Sequence, residues 1–386
     1  MKVSGYISAL LIGLILQTIG CGRAESPRQG SDLAVLAQDV PGYTQARPGY
    51  SLIFPRDHGS HPGYRIEWWY LTANLEDAAG EAYGAQWTLF RLATQPPGQS
   101  TNTGNPANPW QSEQVFMAHI GITTADDHVS FQRYSRGGEH QGIARAGVRT
   151  RPFSAWLDDW SLQSTGADWL PLEVQARQGD YALHLQLHSD TPLILQGDNG
   201  FSQKHPNGGG SYYYSQPFLN ATGQLTVNGE EIEVSGEAWL DREWSSQFLQ
   251  DGQVGWDWFS LHLENGEKLM LFQLRQAAGS GQGEHFLHGN LIAADGSTTI
   301  LKPERIQLEA VEQTLIAGRS LPLRWRINLP QIERQLDVEA LHPRQWMDVD
   351  YPYWEGAITV SGDGPENSGR GYMELTGYSP GESSKR

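Results

Sequence analysis

Ala182-Leu183-His184-Leu185-Gln186-Leu187-His188 alternates apolar and polar residues without a break. A period of two places every leucine on one face of an extended strand, whereas a helix would scatter them around its circumference. Further along, Gln224 to Val227 and Ile232 to Val234 alternate in the same way on either side of Asn228-Gly229. Asn and Gly tolerate the positive φ that a two-residue hairpin turn demands, so this stretch predicts a β-hairpin. Asn265-Gly266 and Asp295-Gly296 repeat the device. Beyond the N-terminal leader, no stretch sustains a 3.6-residue period over several turns. The fold class is all-β, with one or two short helices.

Composition agrees. The 386 residues include 14 Trp, 15 Tyr and 44 Gly, and aromatics with glycine-rich turns are the material of antiparallel sheets. The formal charge of −17 argues against nucleic-acid binding, because phosphate contacts need a basic surface.

An internal echo suggests the architecture. Glu67-Trp68-Trp69-Tyr70-Leu71 is followed by a Gly80-Glu81 turn and by Gln86-Trp87-Thr88-Leu89-Phe90-Arg91. Asp257-Trp258-Phe259-Ser260-Leu261 is followed by Asn265-Gly266-Glu267 and by Met270-Leu271-Phe272-Gln273-Leu274-Arg275. Each half reads acid, Trp, aromatic, any residue, Leu, then a turn, then an alternating strand ending in Arg. We read two related β-domains over 46–235 and 236–378, with the boundary near Gly236 and a short tail at 379–386. The Pro/Gly/Asn-rich stretch Thr94 to Gln111 forms a loop at a rim or an interdomain edge.

The N-terminus carries its own signal. Met1-Lys2 precedes Ile7 to Leu16, a ten-residue run dominated by large aliphatics. That run suits a signal-peptide core and is short for a membrane span, which needs about 20 apolar residues. Stretched over Val3 to Gly20 it could instead serve as an uncleaved anchor. Gly20 stands directly before Cys21, the only cysteine of the chain, in the pattern of a lipoprotein cleavage site. The reading is a signal peptide over 1–20, lipidation at Cys21 and a tether over 21–45. It places the protein in the cell envelope, facing the periplasm, with Gly22 favouring the outer membrane. One thiol excludes an intrachain disulfide.

Four motifs carry a resemblance. Phe54-Pro55-Arg56-Asp57-His58-Gly59-Ser60-His61-Pro62 leads into Arg65-Ile66-Glu67-Trp68-Trp69-Tyr70, and Gly210-Ser211-Tyr212-Tyr213-Tyr214-Ser215 follows. Ala238-Trp239-Leu240-Asp241-Arg242-Glu243-Trp244-Ser245 and Gly371-Tyr372-Met373-Glu374-Leu375-Thr376-Gly377-Tyr378 complete the set. Together they resemble the AttH family, lipocalin-like proteins related to carotenoid 1,2-hydratases, over nearly the whole mature chain. The resemblance implies two tandem lipocalin-like β-barrel domains and a large apolar ligand. It also suggests an ABC-type permease as a partner, and it leaves binder and enzyme both open. The hydratases' His-containing stretch ending in Trp falls on Arg242-Glu243-Trp244, where only Trp244 matches. Their Tyr-x-Asp falls near Leu271-Phe272-Gln273, which holds no acid.

The residues themselves suggest a site. Asp241 and Glu243 stand two apart, on one face of a strand, with Arg242 between them. Beside a Trp a carboxyl loses hydration and its pKa rises, so such a pair could divide acid and base roles on an alkene. The alternative is a salt bridge in which Arg242 holds both acids in a buried network. Glu67, before two tryptophans, is either a general acid or a hydrogen-bond partner for an indole or an arginine. Trp68, Trp69, Tyr212, Tyr213, Tyr214, Trp239, Trp244 and Trp258, with His58 and Arg242, are the candidate ligand-binding residues. His58 and His61 stand in a turn, which suits ligand orientation better than metal binding, and we assign no metal and no cofactor. Ser211 and Ser215 lack the Gly-x-Ser-x-Gly setting of a serine hydrolase. Two readings follow. One is a lipid-anchored protein that binds a hydrophobic small molecule, and the other is a hydratase or isomerase acting on a bulky apolar substrate.

Overall fold

The computed structural model describes residues 40–380, apart from 100–111, 138, 141–142, 207, 251 and 278–284. Cys21, its leader and most of the tether lie outside the described residues, as does most of the Thr94 to Gln111 loop.

Strands make up nearly all of the regular structure, and among the described residues only two single-turn 3₁₀ segments interrupt them, Arg56–His58 and Pro303–Arg305. The hairpin signals act as turns. Asn228 and Gly229 take φ of 53° and 83° between the Gly210–Val227 and Glu230–Ser245 strands. Gly266 and Gly296 take φ of 86° and 84° at the other two turns.

One 13-stranded antiparallel sheet curls into a nearly closed barrel, and one 10-stranded sheet forms a half-barrel. The alternating stretch lies in the Tyr181–His188 strand, with Leu183, Leu185 and Leu187 buried in the first barrel and His184 and His188 exposed. Gly236, where the sequence places the domain boundary, lies inside the Glu230–Ser245 strand, paired with Leu75. The chain passes from the first sheet to the second between Ser245 and Gln253.

Burial explains why the central strands do not alternate visibly. The Ile66–Glu76 strand, the first half of Gly210–Val227 and the second half of Glu230–Ser245 face the first barrel's interior on one side and the second sheet on the other. There both faces are buried and alternation is lost, as in sheets sandwiched between two layers, whereas the halves that meet at Asn228-Gly229 keep exposed positions and alternate. Trp69, Leu71 and Leu240 fill the barrel. Tyr70, Tyr213 and Trp239 instead meet Trp258, Phe272 and Tyr372 of the second sheet in a separate aromatic core. Some of the functional candidates, Asp241 and Glu243 among them, lie at this junction, and others lie on the opposite face of the same strands.

The echoed hairpins are structurally alike. Glu67 pairs in register with Arg91, whereas Asp257 pairs in register with Gln273 and lies 3.3 Å from Arg275 two residues further along. Both acids are fully buried.

Candidate functional site

Strand parity sorts the predicted residues into two groups on opposite faces of the same strands. On the barrel side, Glu67 receives Nε of Arg91 on one oxygen and the guanidinium of Arg242 on the other. The backbone N–H of His61 donates to Glu67 at 2.8 Å, and Arg91 donates to the carbonyls of His61 and Tyr64 at 2.9 and 2.7 Å. Arg242 also donates to the Gly59 carbonyl at 2.6 Å, with its guanidinium 3.8 Å over the Trp69 ring. His61 stacks on Trp244 at 4.0 Å. Glu67 is therefore the knot that ties the 57–64 turn to the barrel. Burial alone would raise its pKa, but the two arginines and His61 outweigh it and hold the carboxyl well below the usual range. A carboxylate held this way stays ionised at neutral pH.

His58 belongs to the same packing. Its Nδ1 is 2.7 Å from the Tyr214 hydroxyl and its ring stacks on Trp169 at 3.7 Å. Burial and then the Arg242 charge push its pKa down to about 3, so it is neutral. The Tyr212 hydroxyl donates to the Arg47 carbonyl at 3.0 Å and anchors the incoming chain. Arg242 does not bridge Asp241 and Glu243. It points to the opposite face, because successive residues of a strand alternate.

On the junction side, Asp241 and Glu243 share one face and line a narrow cavity between the two sheets. The cavity encloses about 690 Å³ of atom-free space counting its open mouth, and its interior is narrow. Its walls are aromatic. Trp68 and Phe90 come from the first sheet, Trp256, Trp258 and Phe272 from the second, and Phe248 from the connection.

Three donors fix Asp241. Tyr213 and Ser215 hydroxyls donate at 2.5 Å each, and the Trp239 indole at 2.7 Å. Trp258 in turn donates to the Tyr213 hydroxyl at 3.3 Å. Desolvation raises the Asp241 pKa to about 7 despite these donors, with the Glu243 charge adding to it. Glu243 accepts from Ser211 and lies 2.8 Å from Nζ of Lys204. Lys204 is itself buried, 4.2 Å over the Phe272 ring. Glu374 reaches the cavity from the second sheet, beside the hydroxyl-bearing walls Tyr70 and Tyr353.

Of the predicted residues, Asp241, Glu243, Trp68, Tyr213 and Trp258 line the cavity, and Trp239 supports it. Glu67, His58, Trp69, Tyr212, Tyr214, Arg242 and Trp244 do not line it. Sequence reasoning missed Lys204, Phe248, Trp256 and Glu374. Glu374 stands in the quoted Gly371–Tyr378 motif, whereas nothing around Lys204 marks it out.

Residues 45–378 match the family model described as AttH-like. The chain belongs to the AttH-like family. The crystal structure of an AttH protein from Nitrosomonas europaea is 33% identical, with a TM-score of 0.74 over 87% of this chain and 100% of that one. Kievitone hydratase from Nectria haematococca shares 15% identity and a TM-score of 0.60 over 91% and 96% of the two chains. CghA with Sch210972 shares 15% identity and a TM-score of 0.54, over 90% of this chain and 98% of that one. At that identity the likeness to the last two is one of fold. Comparison with curated sequences returned no match. The AttH-like chain thus has the tandem lipocalin-like barrels that its motifs imply.

Proposed function

We propose that this AttH-like protein is an acid/base catalyst of the hydratase type, adding water to, or removing it from, the reacting end that a bulky apolar substrate inserts through the mouth of the narrow cavity between its barrels. The observation that carries the reading is Asp241, a buried carboxyl in an aromatic cavity whose pKa of about 7 lets it give or take a proton at neutral pH. Tyr213, Ser215 and Trp239 hold it in one orientation. Kievitone hydratase, which shares the fold, bears a name in keeping with this chemistry.

A second reading has its own support. Asp241 is saturated by three donors and Glu243 is paired with Lys204, which is how a carrier would satisfy polar groups in a ligand pocket. In that case the protein holds a hydrophobic molecule near the membrane, tethered through Cys21 and working with an ABC-type permease.

Mass spectrometry of apolar molecules co-purified with the protein separates the two. A catalyst yields a pair of compounds that differ by one water, and Asp241→Asn leaves only one of the pair. A carrier yields one compound from both proteins, and that result would overturn the hydratase reading.

A further inference from the structure

Glu355 and Glu374 stand directly opposite each other on the antiparallel Tyr353–Ser361 and Gly369–Leu375 strands. Cross-strand partners leave the same face of a sheet with their β-carbons about 5 Å apart. Here that face is the one turned toward the first barrel. Glu374 lines the cavity, and Glu355 lies behind it, 1% exposed, with the Tyr70 and Tyr353 hydroxyls directed at its carboxyl.

Two ionised carboxylates cannot stand side by side in such a place. Burial penalises each charge, and each raises the other. The groups facing the pair relieve it only in part, since the Tyr70 and Tyr353 hydroxyls stabilise the Glu355 carboxylate without supplying a counter-charge. Asp241 and Glu243 approach from the Glu230–Ser245 strand, Tyr70 from Ile66–Glu76, Tyr213 from Gly210–Val227 and Tyr353 from Glu355's own strand. Lys204, the cation of this cavity, is engaged by Glu243. Burial first, then the charges of Glu243 and Asp241, push Glu374 up to about 8, although Trp256 works against them. Burial and then Glu374 raise Glu355 well above the carboxylate range.

We propose that Glu374, positioned by Glu355, is the proton donor of the cavity, and that Asp241 on the opposite wall is the matching acceptor. This rests on the hydration reading above and assigns its two halves. The Glu374 carboxyl gives its proton to one alkene carbon, which forms a C–H bond from the π pair and leaves a cation on its neighbour. Water adds its oxygen to that cation, and the proton that water sheds goes to the Asp241 carboxylate. The sum is one alkene plus one water giving one alcohol. Protonated Asp241 and ionised Glu374 are then reset by proton exchange with water. Protonated Glu355 donates a hydrogen bond into the new Glu374 carboxylate, which eases the loss of the proton. The two glutamates titrate as a pair rather than singly.

Infrared difference spectroscopy of the purified protein reads the pair directly. A carboxylic-acid carbonyl band is expected at pH 7, titrating away above about pH 8. Glu374→Gln and Glu355→Gln should each diminish it, Glu374→Asp should restore it, and Asp241→Asn should leave most of it. Asp241 leaves a smaller band that titrates near pH 7, so a band that keeps its full intensity in both glutamine variants overturns the pair. The donor role is read with squalene as probe in ¹⁸O-labelled water. Glu374→Gln should cut label incorporation at least about a hundredfold, the usual minimum for a general acid, and Glu374→Asp should recover part of it. If Asp241→Asn abolishes incorporation and Glu374→Gln does not, the donor assignment fails and hydration stands. If the unaltered protein incorporates no label, hydration of such alkenes fails and the donor role falls with it, while the infrared result still decides whether the pair holds protons.

Discussion

Glu67 stands opposite Trp244 and Asp241 opposite Tyr70 on one pair of strands, yet the two carboxyls are driven in opposite directions. Glu67 faces two arginines, and Asp241 faces aromatic rings and neutral donors. Glu67→Gln would leave Arg91 and Arg242 buried without a counter-charge, which costs about 3–5 kcal/mol, and chemical denaturation would measure it. A depressed folded pKa contributes stability above the unfolded value near 4.5, and that contribution is lost as pH falls toward the folded value. Acidification below about pH 4.5 should therefore destabilise the unaltered protein more than Glu67→Gln. Asp241 has the reverse sign. Its pKa is raised from 3.8 to about 7, so its contribution is present below the first value and lost as pH rises through the second. Between about pH 4 and 8 the melting temperature of the unaltered protein should fall relative to Asp241→Asn, and parallel slopes would sink the assignment.

At the scale of elements, legibility in the sequence followed exposure. The Tyr181–His188 strand could be read because one face meets water, and its Leu and His positions fell on the faces that their polarity predicts. The Ile66–Glu76 strand gave no alternation because both of its faces are covered, and its role showed only through the echo with Asp257–Leu261. Parity along a single strand brought Asp241 and Glu243 to one face. The sequence could not say that Arg242 would turn away to Glu67, nor that Glu374, more than a hundred residues on, would complete the cavity. The first relation depends on which strands become neighbours and the second on how two sheets meet, and no local pattern encodes either. Gly236 illustrates the same limit, since it looks like punctuation and is a point of close approach. A β-carbon there would lie 2.1 Å from the Asn74 carbonyl oxygen on the neighbouring strand. Gly236→Ala should force the two strands apart and cost about 1–3 kcal/mol, seen as a lower denaturation midpoint with an unchanged slope.

For the whole molecule, the decisive surface is the one that the two sheets share. Tyr70, Tyr213 and Trp239 on one side and Trp258, Phe272 and Tyr372 on the other bury their rings almost entirely against each other. Each large ring so buried contributes about 1.5–3 kcal/mol relative to exposure, so six of them account for a stabilisation comparable to that of a whole domain. The second sheet is also a half-barrel with two free edges, Thr298–Leu301 and Gln307–Ile316, and it has less interior of its own to rely on. It should not be stable alone. Produced as a separate fragment from Gln253 onward, it would expose the aromatic face together with Met270 and Leu274, which is the condition for aggregation. Co-expressed with the fragment that ends at Gln250, it should recover a soluble complex, because the cut falls in the short connection and leaves the aromatic core unbroken. Size-exclusion chromatography and dye binding to exposed apolar surface would show this. A soluble, monomeric, dye-silent fragment from Gln253 would mean that the sheets are independent domains, and that the cavity between them can open without unfolding either one.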